Sequence, residues 1–316
     1  MLSGYEPRSE IMEFHQLRYF VAAAEESGIT RAAEKLHVSQ PALSRQIAAL
    51  EDELGVKLFQ RSRQRIQLTP AGEYFLPKVR DILESLQSAA SDVGNRFGTI
   101  SETVRIGFLL PFLDDVITPA LRALKISSPM IEIVLAELAP QEQLDRLRDG
   151  RLDMAVIGNL NADAQCRFIS HRLMRSRMAV VVPDDHTAAG RASVGVALND
   201  FARDAFVSLS DKSFPGRRDT FEKICRQEGF SPNIVSECDS VNLMLGQVSI
   251  GAGVALVPEH CRKLPHAGCS FLRLEKPVLH SEVLAVVADP AAESRLAPIL
   301  NELSAAAKSA VLPDEL

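Results

Sequence analysis

No run of apolar residues in the 316-residue chain approaches the roughly 18 needed to cross a bilayer, so no membrane span is predicted. Residues 1–12 lack the basic, apolar, small-residue order of a secretory signal, and the expectation is a cytoplasmic protein. Cysteine is sparse and odd in number. Cys166, Cys225, Cys238, Cys261 and Cys269 form no CxxC pair, which excludes an obvious disulfide framework and predicts reduced core thiols. His260, Cys261, His266 and Cys269 place four potential zinc ligands close together, but their spacing fits no common finger or ribbon, and a chance surface cluster is expected instead. Nucleophile-elbow, Walker and GxGxxG patterns are also missing, and the glycines from 246 to 253 sit late in a helical pattern that turns into a strand. Asp153 and Glu137 are acids in suggestive positions, yet turn and helix-cap roles explain them more simply. Neither catalysis nor a cofactor is expected.

A global excess of positive charge is lacking too: 35 basic residues against 41 acidic give a net charge of −6. What is present is ordinary globular composition, 46% hydrophobic and 24% charged, with length enough for two or three domains. Charge distribution is more telling than its sum. Residues 55–72 hold Lys57, Arg61, Arg63 and Arg65 and no Asp or Glu, a local basic ridge for which a solvated loop is the plain alternative.

Residues 1–11 show no periodicity and are expected to form a flexible extension. From Phe14 the positions Phe14, Leu17, Val21 and Ala24 mark a first helix ending near Gly28, and Thr30 is placed as the cap of a short second helix, Arg31 to Leu36. Ser39 then stands at the N-cap of a third helix whose buried stripe is Leu43, Ile47, Leu50 and Leu54, with Gly55 suited to its left-handed end. Gln40, Ser44 and Arg45 face outward from its first two turns. They suit a major groove, where Gln pairs with adenine, Arg with guanine, and Ser with base edges or phosphates. Leu58-Phe59 and Ile66-Gln67-Leu68 flank a basic stretch that reads as a hairpin, so residues 12–70 predict a winged helix-turn-helix. Its hairpin arginines would lie along phosphates or in the minor groove, adding affinity more than sequence choice.

Thr69-Pro70 opens a long helix over 71–98 in which Leu76, Val79, Leu83, Leu86, Ala90, Val93 and Phe97 alternate steps of three and four. Three such heptads predict a two-helix seam and a dimer, with burial against the chain's own later domain as the alternative. Pro77 removes a helical hydrogen bond and predicts a kink. Beyond residue 103 strands and helices alternate: strands at Val104–Phe108, Ile131–Ala136, Met154–Ile157, Met178–Val182, Ala205–Leu209 and Val254–Val257, and helices opening at Thr118, Pro140, Arg217 and Val241. This alternation implies parallel sheets covered on both faces, with a ligand held beyond the carboxyl ends of the strands.

In this order the elements closely resemble the LysR-type transcriptional regulators. The resemblance rests on Leu17-Arg18-Tyr19-Phe20, Ala32-Ala33-Glu34-Lys35-Leu36, Ser39 through Ile47, Leu50-Glu51, Leu54-Gly55, Leu58-Phe59 and Leu68-Thr69-Pro70-Ala71-Gly72, and it covers nearly everything after Met12. It implies an α+β and α/β multidomain chain: a winged helix-turn-helix, a long dimerisation helix, and a two-subdomain, Rossmann-like (periplasmic-binding-protein-like) effector domain over 103–310, its subdomains being 103–172 with 280–310, and 173–279. It further implies a homotetramer, a dimer of dimers, that bends double-stranded promoter DNA, works with RNA polymerase and responds to a small-molecule effector. Within the family the chain is most similar to regulators sensing aromatic-degradation intermediates, so an organic acid is expected. Residues 103–290 alone are also similar to a periplasmic solute receptor, a reading that the DNA-binding head opposes.

Three sets of site residues follow. Thr30, Arg31, Ser39, Gln40, Pro41, Ser44, Arg45, Arg61, Arg63 and Arg65 are expected at DNA, and Leu76, Val79, Leu83, Leu86, Ala90 and Val93 at a dimer seam. Leu109, Leu110, Pro111, Phe112, Pro140, Ser210, Pro215, Arg217, Ser240 and Val241 are expected at the effector. In relatives, hydroxyl side chains after the first two strands help to hold an effector carboxylate. The matching positions here are Pro111 and Pro140, which cannot donate. Arg217, where the loop Ser210 to Arg218 feeds a helix, offers an anion a different anchor, with a solvated first-turn arginine as the alternative.

Overall fold

The computed structural model describes residues 12–310 apart from 63–64, 98–101, 161 and 192–193. The extension expected at 1–11, and Arg63, lie outside the described residues. The chain divides between Phe97 and Gly98 into two compact units.

In the first unit α1 (Phe14–Glu25), α2 (Ile29–Lys35) and α3 (Gln40–Leu54) are followed by β1 (Phe59–Ser62), β2 (Arg65–Leu68) and α4 (Pro70–Phe97). The expected stripe of α1 is rotated: Leu17, Phe20 and Ala23 are buried while Phe14 is 40% exposed. Phe20 decides this, because its ring fills the junction of three elements, 5.4 Å from the Phe59 ring and 5.5 Å from the Phe75 ring. The second helix starts earlier than expected. Gly28 is its N-cap and Thr30 lies inside its first turn, because the Gly28 carbonyl already accepts from the Ala32 N–H at 3.1 Å.

Helix α3 follows its expected stripe, with Leu43, Ile47 and Leu50 buried and Gly55 left-handed at φ 68°. Ser39 is the N-cap by position, but its hydroxyl makes no capping bond and stays exposed. Two buried polar side chains fix the orientation of α3. Gln16 Nε2 donates to Gln46 Oε1 at 3.2 Å, tying α1 to α3. Glu51 Oε1 accepts from the backbone N–H of Leu58 at 2.9 Å and of Phe59 at 3.0 Å, while Lys57 pairs with its other oxygen at 2.9 Å. The helix is thereby bolted to the hairpin, which pairs antiparallel with Phe59 opposite Leu68.

Thr69 caps α4, its hydroxyl accepting from the Gly72 N–H at 3.1 Å and donating to the Lys57 carbonyl at 2.6 Å. Gly72 is required by close approach: a Cβ there would lie 2.2 Å from the Leu58 carbonyl oxygen. The kink expected at Pro77 does not interrupt the helix, which runs continuously to Phe97. Pro77 is exposed, so water can satisfy the carbonyl its ring leaves unpaired.

The second unit contains β3 (Glu102–Phe108), α5 (Thr118–Ser127), β4 (Ile131–Glu137), α6 (Pro140–Arg148), β5 (Met154–Gly158), α7 (Ala162–Arg167), β6 (Ile169–Pro183), β7 (Val196–Ala197), β8 (Ala205–Leu209), α8 (Arg217–Gln227), β9 (Asn233–Cys238), α9 (Val241–Ser249), β10 (Ala255–Pro258), β11 (Cys269–Lys276), β12 (His280–Val287) and α10 (Pro290–Ala310). The main sheet runs β4-β3-β5-β12-β6-β11-β7, with β10 also on β6, and β8 pairs with β9 separately. The sheet is mixed rather than parallel throughout. Strands β4, β3 and β5 are parallel, but β12 is antiparallel to both β5 and β6.

Strand β6 passes through both halves of the unit: its first half pairs with β12 and its second with β10 and β11. In the first lobe Val104, Ile106, Met154, Val156 and Val283 pack under Leu296, Ile299 and Leu303 of α10, and Ala155, Ile157, Leu284 and Val286 face Leu144 and Leu147 of α6. In the second lobe alternate β6 residues serve opposite faces, Ala179 and Val181 in one cluster and Met178, Val180 and Val182 in the other, as the two-residue period of a strand requires.

Asp153 has a structural role in the first lobe. It accepts from the Arg105 backbone at 2.8 Å, Arg105 Nε at 3.0 Å and Arg295 at 2.6 Å, joining β3 to α10. Burial raises its carboxyl, but the Arg105 and Arg295 hydrogen bonds outweigh that and hold it below the usual carboxylate range.

Candidate functional site

The first unit presents an exposed polar surface around the start of α3. Gln40, Pro41, Ser44 and Arg45 are exposed on its first two turns, with exposed Ser39 before them and exposed Thr30 and Arg31 on α2. Arg31 is held in place by a hydrogen bond from its guanidinium to the Glu26 carbonyl. The opposite face of α3 carries the buried leucines, so the helix buries one side and offers the other. Arg61 lies on β1 opposite Ile66, and Arg65 on β2 opposite Ser62; their side chains lie outside the described residues. The hairpin thus carries arginines on both strands beside the α3 terminus to which Glu51 fastens it.

The residues expected at a seam divide along α4. Val79 is fully buried and Leu76 and Leu83 are half-buried against Leu17, Phe20 and Leu50 of the same unit, so the first heptad serves the winged-helix core. Ile82 and Leu86 are about half exposed, at 51% and 49%, and Ala90 is exposed. Val93 lies on the helix, its side chain outside the described residues.

The second unit holds a cavity of about 360 Å³ where several strands end together. Leu109, Pro111 and Phe112 follow β3, Asn159 and Leu160 follow β5, the loop to Arg217 follows β8, and His260 and Cys261 follow β10. This is the place for a ligand in an open α/β sheet. Of the expected effector residues, Leu109, Pro111, Phe112, Pro140, Pro215, Arg217 and Val241 line it. Leu110 and Ser240 line a smaller neighbouring cavity of about 120 Å³ instead, and Ser240 caps α9 by accepting from the Leu243 N–H at 3.2 Å. Ser210 lines neither: its hydroxyl donates to Asp239 Oδ1, as does that of Ser213 at 2.7 Å. These two bonds hold the Asp239 carboxyl below its ordinary range and occupy both hydroxyls.

Most polar groups at the cavity already have partners. Asn159 Oδ1 accepts from the Glu282 N–H at 2.8 Å, Glu282 pairs with Arg172 at 3.2 Å, and Thr220 donates to the Gly216 carbonyl at 2.7 Å. Arg217 differs. No carboxylate among the described residues pairs with its guanidinium, and burial lowers its pKa from the ordinary arginine value, opposed only by neighbouring Cys261. The Cys261 thiol is itself pushed up to about 12 by burial and stays neutral. His260 also lacks a partner at Nδ1, which is buried. Its ring packs on Phe112 with centroids 5.3 Å apart, and burial takes its pKa down to about 4, with Asp115 opposing and Lys263 reinforcing. Two further contacts close the same region: Lys263 Nζ meets Asp115 at 2.6 Å, and the Gln141 N–H donates to the Ser213 carbonyl at 3.2 Å.

His260, Cys261, Asn159, Ser281 and Glu282 were not expected at this site. The strand-end rule applied to Val254–Val257 points to the first two, against the expectation of a surface cluster with His266 and Cys269. Cys261 and Cys269 are in fact core residues of the second lobe, and all five cysteines are free.

Comparison with known proteins accounts for both units. Residues 14–73 match the model of the bacterial regulatory helix-turn-helix protein, lysR family, and residues 98–307 that of the LysR substrate binding domain. The chain is 32% identical over 267 residues to the HTH-type transcriptional regulator BenM of Acinetobacter baylyi, covering 84% of this chain and 86% of the relative. To the HTH-type transcriptional regulator AlsR of Bacillus subtilis it is 29% identical, covering 86% and 88%. Among solved structures, CbnR, a LysR family transcriptional regulator, superposes with a TM-score of 0.69 at 22% identity, over 93% of this chain and 99% of that one. Full-length BenM superposes with a TM-score of 0.56 at 27% identity, covering 92% and 95%. These proteins are named as regulators of transcription rather than enzymes, and no helix among the described residues is long and apolar enough to cross a membrane. The chain belongs to the LysR family: it is a DNA-binding transcriptional regulator with an effector-binding domain.

Proposed function

We propose that this regulator binds promoter DNA as a homotetramer, a dimer of dimers, and that an organic acid entering the cavity of the second unit changes its transcriptional output with RNA polymerase. The observation that carries the acid is Arg217, a desolvated guanidinium without a carboxylate partner among the described residues, in a cavity walled by Leu109, Phe112, Ile157, Leu209 and Val241. A buried cation left unpaired costs stability and is kept where a ligand supplies the counter-charge. The apolar walls suit an aromatic or similarly compact acid, in keeping with the resemblance to regulators of aromatic degradation.

At DNA, Gln40, Ser44 and Arg45 read base edges, while Thr30, Arg31, Ser39, Pro41 and the hairpin arginines Arg61, Arg63 and Arg65 set position along phosphates. Pairing of copies runs along the outer part of α4, where Leu86, Ala90 and Val93 continue the apolar repeat past the self-packed Leu76, Val79 and Leu83; Ile82 extends the exposed stripe. In domain terms 12–70 binds DNA, 71–98 pairs copies, and 103–310 senses, its lobes being 103–172 with 280–310, and 173–279. The protein works in the cytoplasm.

The test is a DNase I footprint of the full chain on the region upstream of its own gene and of its neighbour, with and without a panel of carboxylic acids. An acid that changes the length or hypersensitivity of the protected tract supports the proposal. An identical footprint with every acid that raises the melting temperature refutes the coupling.

A further inference from the structure

Among the described residues Arg217 and His260 are both unpartnered polar groups at the cavity, and they differ in charge. Arg217 is a permanent cation, whereas His260 is neutral at any physiological pH because burial takes its pKa down to about 4. The groups facing His260 explain why it stays neutral. Asp115 favours its charged form but is already neutralised by Lys263 at 2.6 Å, Phe112 covers its ring at 5.3 Å, and Cys261 beside it is an un-ionised thiol. A neutral imidazole offers one N–H donor and one acceptor. The ring lines the cavity, and its Nδ1 is buried with its hydrogen bond unmade.

The remaining charges at the cavity disfavour a second anion. Glu282, the carboxylate of the lining, is paired with Arg172 and adds no cation for a second anion, and the adjoining smaller cavity carries Glu137 and Asp239, whose charge is kept by Ser210 and Ser213. A dicarboxylate could satisfy Arg217 with one end only. Its other end would be desolvated against an uncharged histidine or brought toward fixed negative charge.

Resting on the reading that the cavity takes an acid, we infer that the effector is a singly charged carboxylic acid bearing an uncharged hydroxyl or carbonyl oxygen, its carboxylate on Arg217 and its neutral oxygen hydrogen-bonded to His260. The ligand therefore needs both groups on one compact skeleton, and His260 discriminates hydroxy or oxo acids from diacids of the same shape.

The experiment is calorimetric titration of the full chain with two matched sets: benzoate, 4-hydroxybenzoate and terephthalate; and hexanoate, 6-hydroxyhexanoate and adipate. The wild type is expected to bind the hydroxy acid of at least one set about tenfold more tightly than the plain acid, the loss of one hydrogen bond to a buried group being worth about that factor, and the diacid most weakly. His260→Leu should erase the hydroxyl preference, the ratio of hydroxy-acid to plain-acid affinity falling to about one while the plain acid still binds through Arg217. Should the diacid of either set bind as tightly as the hydroxy acid, or His260→Leu leave the preference as it was, the assignment of His260 fails while the acid site stands. Binding of no member of either set, with Arg217→Gln equally silent, overturns both the assignment and the acid site.

Discussion

Replacing Arg217 by Met separates the account of the cavity from any structural role for this residue, because the two make opposite predictions for the empty protein. The substitution keeps the length of the apolar stem and removes a cation that no carboxylate among the described residues balances. Exchanging a poorly compensated buried charge for an apolar side chain is stabilising by about 1–4 kcal/mol, and the partial exposure of Arg217 argues for the low end, about 1–2 kcal/mol. For a unit of this size each kcal/mol moves the melting temperature by about 2–4 °C, so the variant without acid should melt about 2–8 °C higher. With acid the difference shrinks. Losing a charge-assisted pair worth about 1.5–3 kcal/mol weakens binding about 10- to 150-fold. A concentration of 100 times the wild-type Kd stabilises the wild type by about 2.7 kcal/mol through mass action. The variant gains about half of that or less, and the gap between the two closes. Differential scanning calorimetry of the full chain, with and without an acid that binds, reads both effects. A variant that melts lower than wild type without acid would show that the guanidinium supports the fold, and an equal acid-induced shift in both proteins would place the acid elsewhere.

Gly72→Ala should cost about 1–3 kcal/mol or more in urea unfolding of the first unit, since its Cβ would press 2.2 Å from the Leu58 carbonyl oxygen, a backbone atom that cannot turn aside; a neutral result would mean that α4 and the hairpin are not in this contact. Asp153→Asn should destabilise the second unit by about 3 kcal/mol at neutral pH. The folded Asp153 pKa is depressed, so its contribution is full above the unfolded value of about 3.9 and is lost as pH falls through the lower folded value. Melting curves of the two proteins should therefore converge on acidification, and a constant difference down to low pH would contradict the ion network. Ile82→Lys with Leu86→Lys should shift the chain toward monomer in sedimentation velocity without unfolding the first unit, because both side chains are about half exposed; an unchanged assembly would remove the outer face of α4 from the interface.

What was legible in the sequence follows from which interactions are local. The stripe Leu43, Ile47, Leu50 and the left-handed Gly55 are periodic and local, and α3 forms where they place it. The rotation of α1 was not legible, because Phe20 is drawn inward by Phe59 and Phe75, which are distant in the chain. Strand β6 is legible only at its apolar end, Met178–Val182; in its first half Leu173 and Met174 are both buried between exposed Arg172 and Arg175, where the pairing with β12 shifts register, and this break in the alternation hides the strand and its partner. Without that antiparallel pair an all-parallel sheet was the natural expectation. At the cavity, residues that follow strand ends were found where the strand was recognised, as at Leu109–Phe112, and Arg217 was singled out by charge at a helix start. The partnering of Ser210 with Asp239, 29 residues apart, is a matter of tertiary geometry and withdrew Ser210 from the site.

The central claim is that the exposed start of α3 reads a defined DNA sequence. Fluorescence anisotropy should compare the wild type and Arg45→Ala on an inverted-repeat duplex from the upstream region and on a scrambled duplex of equal length at moderate salt. The account predicts that wild type prefers the inverted repeat and that Arg45→Ala loses about 1–3 kcal/mol on it while binding the scrambled duplex almost as before. Equal affinity of the wild type for both duplexes, or an equal loss on both in the variant, would contradict it.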